Sequence, residues 1–287
     1  MNVVRTEAEL RGFLEMATDV SDDHPVVITK FIEGAEEIDV DGVADGGRLL
    51  AYAVAEHVEQ GGVHSGDATL VLPARDMSKE TFARVKEIAG KVAAQLNITG
   101  PFNMQILHSP DGSLKVIETN VRASRSLPFS SKVLDVDFTR LATLAIIGEK
   151  PVDAMATCDV QQQLPYVGVK VPQFSFKRLP GADPCLGVEM KSTGEVACFH
   201  HDKWGAYLRG LQSTYFSLPP AGSIVWLTLP PATHGDKLRK AVQAVKILQR
   251  IGYQLAAGTE DLAVLKVRAR TARIGQLIAC PKQSFFV

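Results

Sequence analysis

The 287-residue chain predicts an α+β fold followed by a smaller α/β unit, on three observations. Period-two apolar stretches come in pairs joined by glycine-containing turns, Asp45-Gly46-Gly47 and Ser109-Pro110-Asp111-Gly112, a pattern of antiparallel hairpins. One long helical stripe, from Ser78 to Leu96, lies between those hairpins. Beyond Pro219-Pro220-Ala221-Gly222, which reads as a linker, a single strand–helix–strand run stands alone.

Each element follows from its own pattern. Residues 6–18 place Leu10, Phe13, Leu14 and Ala17 at helical spacing, and after Asp22-Asp23-His24-Pro25 the pattern turns β-rich over 26–32, which predicts a strand. Alternation over 37–43 and 49–58 predicts the two arms of the first hairpin. Ser78 is the expected N-cap of the following helix, Val85, Ile88, Val92, Ala93 and Leu96 form its apolar stripe, and 97–100 end it. Residues 102–108 and 114–120 are the second hairpin, and a helix over 137–147 closes at Gly148. From 151 to 220 proline and glycine are frequent and long periodic stretches few, with strands expected only at 167–171 and 195–199. A strand at 223–229, a helix at 236–251 carrying Leu238, Val242, Val245 and Leu248 on one face, and a strand-bearing return over 253–267 make one βαβ unit. A lone βαβ cannot close a core, so this second domain is expected to be truncated. Residues 268–287 show no period, and no element is predicted there.

Bulk composition narrows the function. With 46% hydrophobic and 22% charged residues the chain is globular, and its length suits about two domains of ordinary size. A net charge of -1, from 31 basic and 32 acidic side chains interspersed, offers no field for nucleic acid or an anionic membrane, and the default becomes small-molecule chemistry. Cys158, Cys185, Cys198 and Cys280 form no C-x-x-C pair, which points to reduced thiols rather than a zinc knuckle or disulfide framework. Charged Arg5, Glu7, Glu9 and Arg11 argue against a secretory signal, and no stretch approaches the ~20 apolar residues of a membrane span. A cytoplasmic location is expected.

Gln105, Glu118 and Asn120 carry the strongest chemical signal. Glu118 and Asn120 are two apart on a strand and share a face. Pairing across the 109–112 turn, with 108 facing 113 or 109 facing 114, brings Gln105 to that face as well. Three oxygen-bearing side chains suit a hard cation such as Mg²⁺ clamped on nucleotide phosphates; a solvated polar sheet face is the plain alternative. Arg122 and Arg125, one helical turn apart if the chain bends there, suit capture of a carboxylate-like or phosphate-like anion, or else surface ion pairs. The run from Glu56 to Asp67 packs Gly61, Gly62 and Gly66 with His57 and His64, so its backbone and Ser65 could approach a phosphate, or form an ordinary loop. It is neither a Walker loop nor G-x-G-x-x-G. Adjacent His200 and His201, with Asp202, seldom point at one ion and are set aside as a metal site.

Residues 56–73 (EHVEQGGVHSGDATLVLP), 100–106 (GPFNMQI), 116–132 (VIETNVRASRSLPFSSK) and 170–196 (KVPQFSFKRLPGADPCLGVEMKSTGEV) resemble the second synthetic unit of carbamoyl-phosphate synthase, most closely its glutamine-dependent pyrimidine-pathway form. The resemblance runs to about residue 267. It implies an ATP-grasp fold over 1–219, of which this chain carries the C-terminal part, then the start of a methylglyoxal-synthase-like regulatory domain over 220–267 and an unassigned tail over 268–287. It implies ATP as cofactor with Mg²⁺ or Mn²⁺ held by Gln105, Glu118 and Asn120. Gln105 and Glu118 would also meet the nucleotide phosphates, Arg122 and Arg125 would hold carbamate and the transferring phosphoryl group, and Gly62, Val63, His64 and Ser65 would line the nucleotide. Lys30 and Ile32 would meet the adenine edge and Glu37 the ribose. The implied partners are carbamate and ATP as substrates, the N-terminal half of the synthase and a glutaminase domain or subunit.

Two departures bear on activity. In the family a glycine-rich phosphate-covering loop and its subdomain precede the segment that matches Met1, and so does a first synthetic unit. The 287 residues alone are therefore expected to be inactive. The competing expectations are a non-catalytic nucleotide-binding or interaction fragment, and another ATP-grasp carboxylate ligase, against which the GGVHSGD and STGEV stretches argue.

Overall fold

The two glycines of the first turn decide how the sheet begins. Gly46 and Gly47 both take positive φ, 54° and 81°, the type I′ geometry that matches strand twist, and they join β1 (Glu36–Asp45) to β2 (Arg48–Gln60) with Asp45 opposite Arg48. This computed structural model describes residues 3–20, 26–175, 186–214, 216–229, 235–258, 261, 263, 265 and 277–280. It divides into two units, Met1–Phe216 and Ser217–Val287. In the first, β3 (Leu70–Leu72), β4 (Gly100–His108), β5 (Leu114–Asn120), β6 (Val167–Phe174) and β7 (Ser192–His200) complete a seven-stranded sheet in the order β5-β4-β1-β2-β3-β6-β7, with every pairing antiparallel.

Helices α2 (Lys79–Gln95), α3 (Leu127–Leu134), α4 (Phe138–Ile146), α5 (Met155–Asp159) and α6 (Lys203–Gln212) pack on this sheet, and α1 (Glu7–Val20) precedes it in the chain. Their ends are chemically set. Ser78 Oγ accepts from the Thr81 N–H at 3.0 Å, Asp137 Oδ1 from Arg140 at 2.9 Å and Asp202 Oδ1 from Gly205 at 2.9 Å. Asn97, at φ 48°, stops the chain after α2. Phe82, Val85, Ala89 and Ala93 of α2 share one core with Ile38 and Val40 of β1, Phe102, Met104 and Ile106 of β4 and Phe138 and Leu141 of α4. Each large side chain so buried stabilises the fold by about 1.5–3 kcal/mol. Because β3 is short, Gln161 stands in for a strand beside β2: its Oε1 accepts from Val54 N–H at 2.9 Å and its Nε2 donates to the Cys158 and Tyr52 carbonyls.

Several expectations need correction. Residues 26–32 form no strand; Val27 and Ile28 are 82% and 63% exposed. Alternation marks extended backbone, and a strand also needs a ladder partner, which none of the described residues supplies. Leu96 is exposed and lies outside the stripe of α2. The stretch 151–220 holds more structure than its periodicity suggests, with β6, β7 and α6 packed around Val167, Val169, Val171 and Ala206. The 22–25 turn and Cys185 lie outside the described residues.

In the second unit β8 (Ile224–Leu227), α7 (Gly235–Arg250) and β9 (Gln254–Gly258) form the expected parallel βαβ, closed over Val245, Leu255 and Leu265. A further strand, β10 (Leu277–Cys280), pairs parallel to β9 in the segment where the sequence shows no period. Four residues are too few to reveal one.

Candidate functional site

Three strands bring the chemistry together in two cross-strand rows. Asp39 of β1 lies opposite Gln105 of β4, which lies opposite Glu118 of β5; Asp41, Asn103 and Asn120 form the next row. Residues directly opposite share a face, so the trio Gln105, Glu118 and Asn120 does converge, across the edge strand β5 and its neighbour β4. The register differs from the expected one. The turn is a three-residue loop, Pro110-Asp111-Gly112 with Gly112 at φ 78°, and it pairs His108 with Leu114 and Ile106 with Val116. A bulge at Ile117 then inserts one residue and restores Gln105 opposite Glu118.

A loop over 61–67 closes on this face. Gln105 Nε2 donates to Ser65 Oγ at 2.5 Å, and Lys170 Nζ reaches the Ser65 carbonyl at 3.4 Å. Asp67, fully buried, accepts the Lys191 and Ser192 N–H groups at 2.8 Å each, and His64 N–H donates to the Gly187 carbonyl at 2.8 Å. Gly62, at φ 108°, lies so close to the Phe31 ring that a Cβ there would come within 2.9 Å of it. This contact sets the 26–32 segment, with exposed Lys30 and half-buried Ile32, beside the loop. Val63, His64 and Ser65 are half-buried.

The arginines are less uniform. Neither is helical; both are exposed in the bend before α3. Arg125 Nη1 donates to Ser192 Oγ at 3.2 Å, and Ser192 Oγ donates to the Gly66 carbonyl, which links Arg125 to the loop. Arg122 Nη1 reaches only its neighbour's carbonyl, Ala123, among the described residues. His200 is held by Asp202 at 2.7 Å, away from these groups.

Electrostatics sets this face apart from an ordinary polar surface. Glu37, Asp39 and Asp41 are 4%, 4% and 2% exposed. Burial pushes the Glu37 carboxyl up to about 7, against the Gly62 N–H and with Glu118 adding repulsion. Burial and then neighbouring Asp41 push Asp39 up to about 8. His57 is buried with both ring nitrogens unpartnered among the described residues, and burial together with the Lys170 charge holds it down at about 3, so the imidazole is neutral. Its 4.0 Å approach to Glu37 is therefore a contact rather than an ion pair. Lys170, 2% exposed, lies 3.5 Å from Glu195, at ion-pair distance without hydrogen-bond geometry.

Asp39, Asp41, Asn103 and Lys170 were not singled out by motif reading. The signal was present in Glu37-Ile38-Asp39-Val40-Asp41, three acids at alternate positions inside a predicted strand. The donor set fits a hard divalent cation: one carboxylate and two amide oxygens, with both amide nitrogens already committed, Asn120 Nδ2 to Glu118 at 2.8 Å and Gln105 Nε2 to Ser65. Among the described residues no cluster of three His, Cys, Asp or Glu side chains could hold a metal ion.

An antiparallel sheet with covering helices, an oxygen-rich edge face and a glycine-rich loop over it define an ATP-grasp fold. Solved structures agree: a biotin carboxylase from Campylobacter jejuni matches with a TM-score of 0.54 at 17% identity, over 74% of this chain and 54% of that one, and an L-amino acid ligase from Bacillus licheniformis matches at 0.51. The sequence profile described as carbamoyl-phosphate synthase L chain, ATP binding domain, matches residues 1–150, and the chain belongs to that family. The arginine-specific, mitochondrial carbamoyl phosphate synthase large chain of Neurospora crassa is 51% identical over 98% of this chain, and the multifunctional protein pyr-3 of the same organism is 50% identical over 91%. The chain spans 24% and 14% of those two proteins. No described helix is long and apolar enough to cross a membrane.

Proposed function

We propose that this chain supplies the metal-binding and anion-binding half of an ATP-grasp site that phosphorylates carbamate to carbamoyl phosphate, within a glutamine-dependent synthase. The observation that carries this reading is the row Asp39–Gln105–Glu118 with Ser65 closed against Gln105. Gln105, Glu118 and Asn120 would hold Mg²⁺ or Mn²⁺, which when bound neutralises phosphate charge. Glu37 faces the ribose side, with Lys30 and Ile32 toward the base, while Gly62 to Ser65 follow the phosphates. Arg122 and Arg125 hold the carbamate and the transferred group. A carbamate oxygen attacks the γ-phosphorus, a new O–P bond forms as the bond to the β-phosphate oxygen breaks, and ADP leaves. Positioning and charge neutralisation supply the acceleration, with no covalent enzyme intermediate.

Ammonia would come from a glutaminase domain or subunit and carbamate from an N-terminal synthase half. A cytosolic location goes with the pyrimidine form and a mitochondrial one with the arginine form; we favour the first, and fractionation of source cells decides it. The test is carbamoyl-phosphate formation by the longest polypeptide the gene encodes, with and without Glu118→Gln. Loss of about 10²-fold or more is expected from removing the trio's one carboxylate. Wild-type turnover in Glu118→Gln would reject the site.

A further inference from the structure

The bend that carries Arg122 and Arg125 has no secondary structure of its own, and a buried carboxylate holds it. Asp41, 2% exposed, accepts three side-chain hydrogen bonds: from Ser124 Oγ at 2.5 Å, from Ser130 Oγ at 2.6 Å and from Asn103 Nδ2 at 3.0 Å. These donors come from the bend, from α3 and from β4. Ser124 in turn accepts the Leu127 N–H at 3.0 Å, which caps α3 in place of Ser126, whose side chain makes no cap bond. The chain therefore runs Asp41, Ser124, α3 on one side, and Ser124 sits between the two arginines in sequence.

We propose that Asp41, acting through Ser124, is a positioning residue: it fixes the 121–126 bend so that Arg122 and Arg125 present their guanidinium groups to the transferring phosphoryl group. The physical case is that hydrogen bonds to a buried carboxylate are short and about twice as strong as neutral ones. Both oxygens of Asp41 are engaged, one by the bend and Asn103 and the other by α3, so its side chain has little freedom. A guanidinium on a long flexible stem aims well only if its backbone is fixed, and a displacement near 1 Å at a reacting centre can cost about 10²-fold in rate. The hydrogen bonds of Asp41 go to Ser124, Ser130 and Asn103, none of which is assigned to metal or substrate, so its role is positioning and not catalysis.

This inference rests on the carbamate-phosphorylating reading of the site, and its test separates the two. In the longest polypeptide the gene encodes, Ser124→Ala removes the link between Asp41 and the bend. It should lower kcat about tenfold with KM for ATP within error, and lower the melting temperature about as much as Ser130→Ala does because the α3 cap is lost too, while Ser124→Thr, which keeps the hydroxyl, restores both. Asp41→Asn should lower kcat further. Ser130→Ala, which loosens only the α3 side, should lower the melting temperature with kcat unchanged. If Ser124→Ala retains wild-type kcat, or if Ser130→Ala loses kcat equally for the same drop in melting temperature, the positioning role is wrong. If Arg125→Ala also retains wild-type kcat, the reading of the site falls with it; if Arg125→Ala is inactive while Ser124→Ala is not, only the positioning role falls.

Discussion

Replacing Glu37 by glutamine should stabilise the first unit by an amount that grows as pH rises from about 4.5 and is complete above about 7. The Glu37 carboxyl has an ordinary value of 4.5 and is pushed to about 7 in the folded chain, first by burial. Below 4.5 it is protonated in both states and the fold pays nothing for it. Between 4.5 and 7 the unfolded chain releases its proton and the folded chain keeps it, so stability falls as pH rises. Above 7 the loss is complete, at about 3 kcal/mol from 1.36 kcal/mol for each pH unit of displacement. Glutamine keeps an oxygen for the Gly62 N–H and has no charge to bury. Urea unfolding of both proteins at pH 4.5 and pH 8 measures it: little difference at the lower pH, and a gain of about 2–3 kcal/mol at the higher. An equal difference at both values would mean that Glu37 is ionised normally in the fold, and the account of a costly acidic face would fail. Asp39 works in the same direction, with a window from 3.8 to about 8.

Three further outcomes follow from the packing. Gln161→Ala leaves the buried Val54 N–H and Tyr52 carbonyl without their partner, which costs about 2–4 kcal/mol and is read from the shift in urea midpoint. Gly168→Ala sets a Cβ 2.4 Å from Val133 Cγ2 and 3.1 Å from the Phe129 ring, for a loss of about 1–3 kcal/mol in the same measurement. His57, with its folded value lowered from 6.5 to about 3, stays neutral across the physiological range. Its ring protons should not shift between pH 5 and 8 by NMR, and the stability it contributes is full above 6.5 and is lost as pH falls toward 3.

What the sequence made legible was periodic or punctuated. The stripe of α2, the Asp45-Gly46-Gly47 hairpin and the parallel strand–helix–strand of the second unit are each specified by local pattern and appear where that pattern lies. The strand expected over 26–32 failed because alternation says nothing about whether a partner ladder exists. In 151–220 the reverse held: β6 is buried on both faces and β7 is assembled around a glycine and small polar residues, so neither shows clean alternation. The trio and the loop were found as residue types at a spacing, whereas Asp39, Asp41 and Lys170 become visible only as buried charge. Burial is a property of the assembled sheet, and no spacing rule reports it.

The convergence of the trio depends on two irregularities that offset each other, and this can be tested. The three-residue turn moves the hairpin register by one residue from the expected pairing, and the bulge at Ile117 moves it back before Glu118 is reached. Ile117 is 50% exposed and Val116 is 41% exposed, so the bulge is not there to fill the core. Deleting Ile117 removes the extra residue and leaves a regular ladder in which Ile106 still meets Val116 and Gln105 still meets Glu118. Stability should change by no more than about 1 kcal/mol, because little buried surface is lost. In the longest polypeptide the gene encodes, the proposed carbamoyl-phosphate formation should stay within about tenfold of wild type. Deleting Thr119 instead places Asn120 next to Glu118, and adjacent strand residues face opposite sides, so the trio is broken and turnover should fall by about 10²-fold or more. If the two deletions damage turnover equally, with both proteins folded by circular dichroism, then face-sharing by Gln105, Glu118 and Asn120 is not what the hairpin provides.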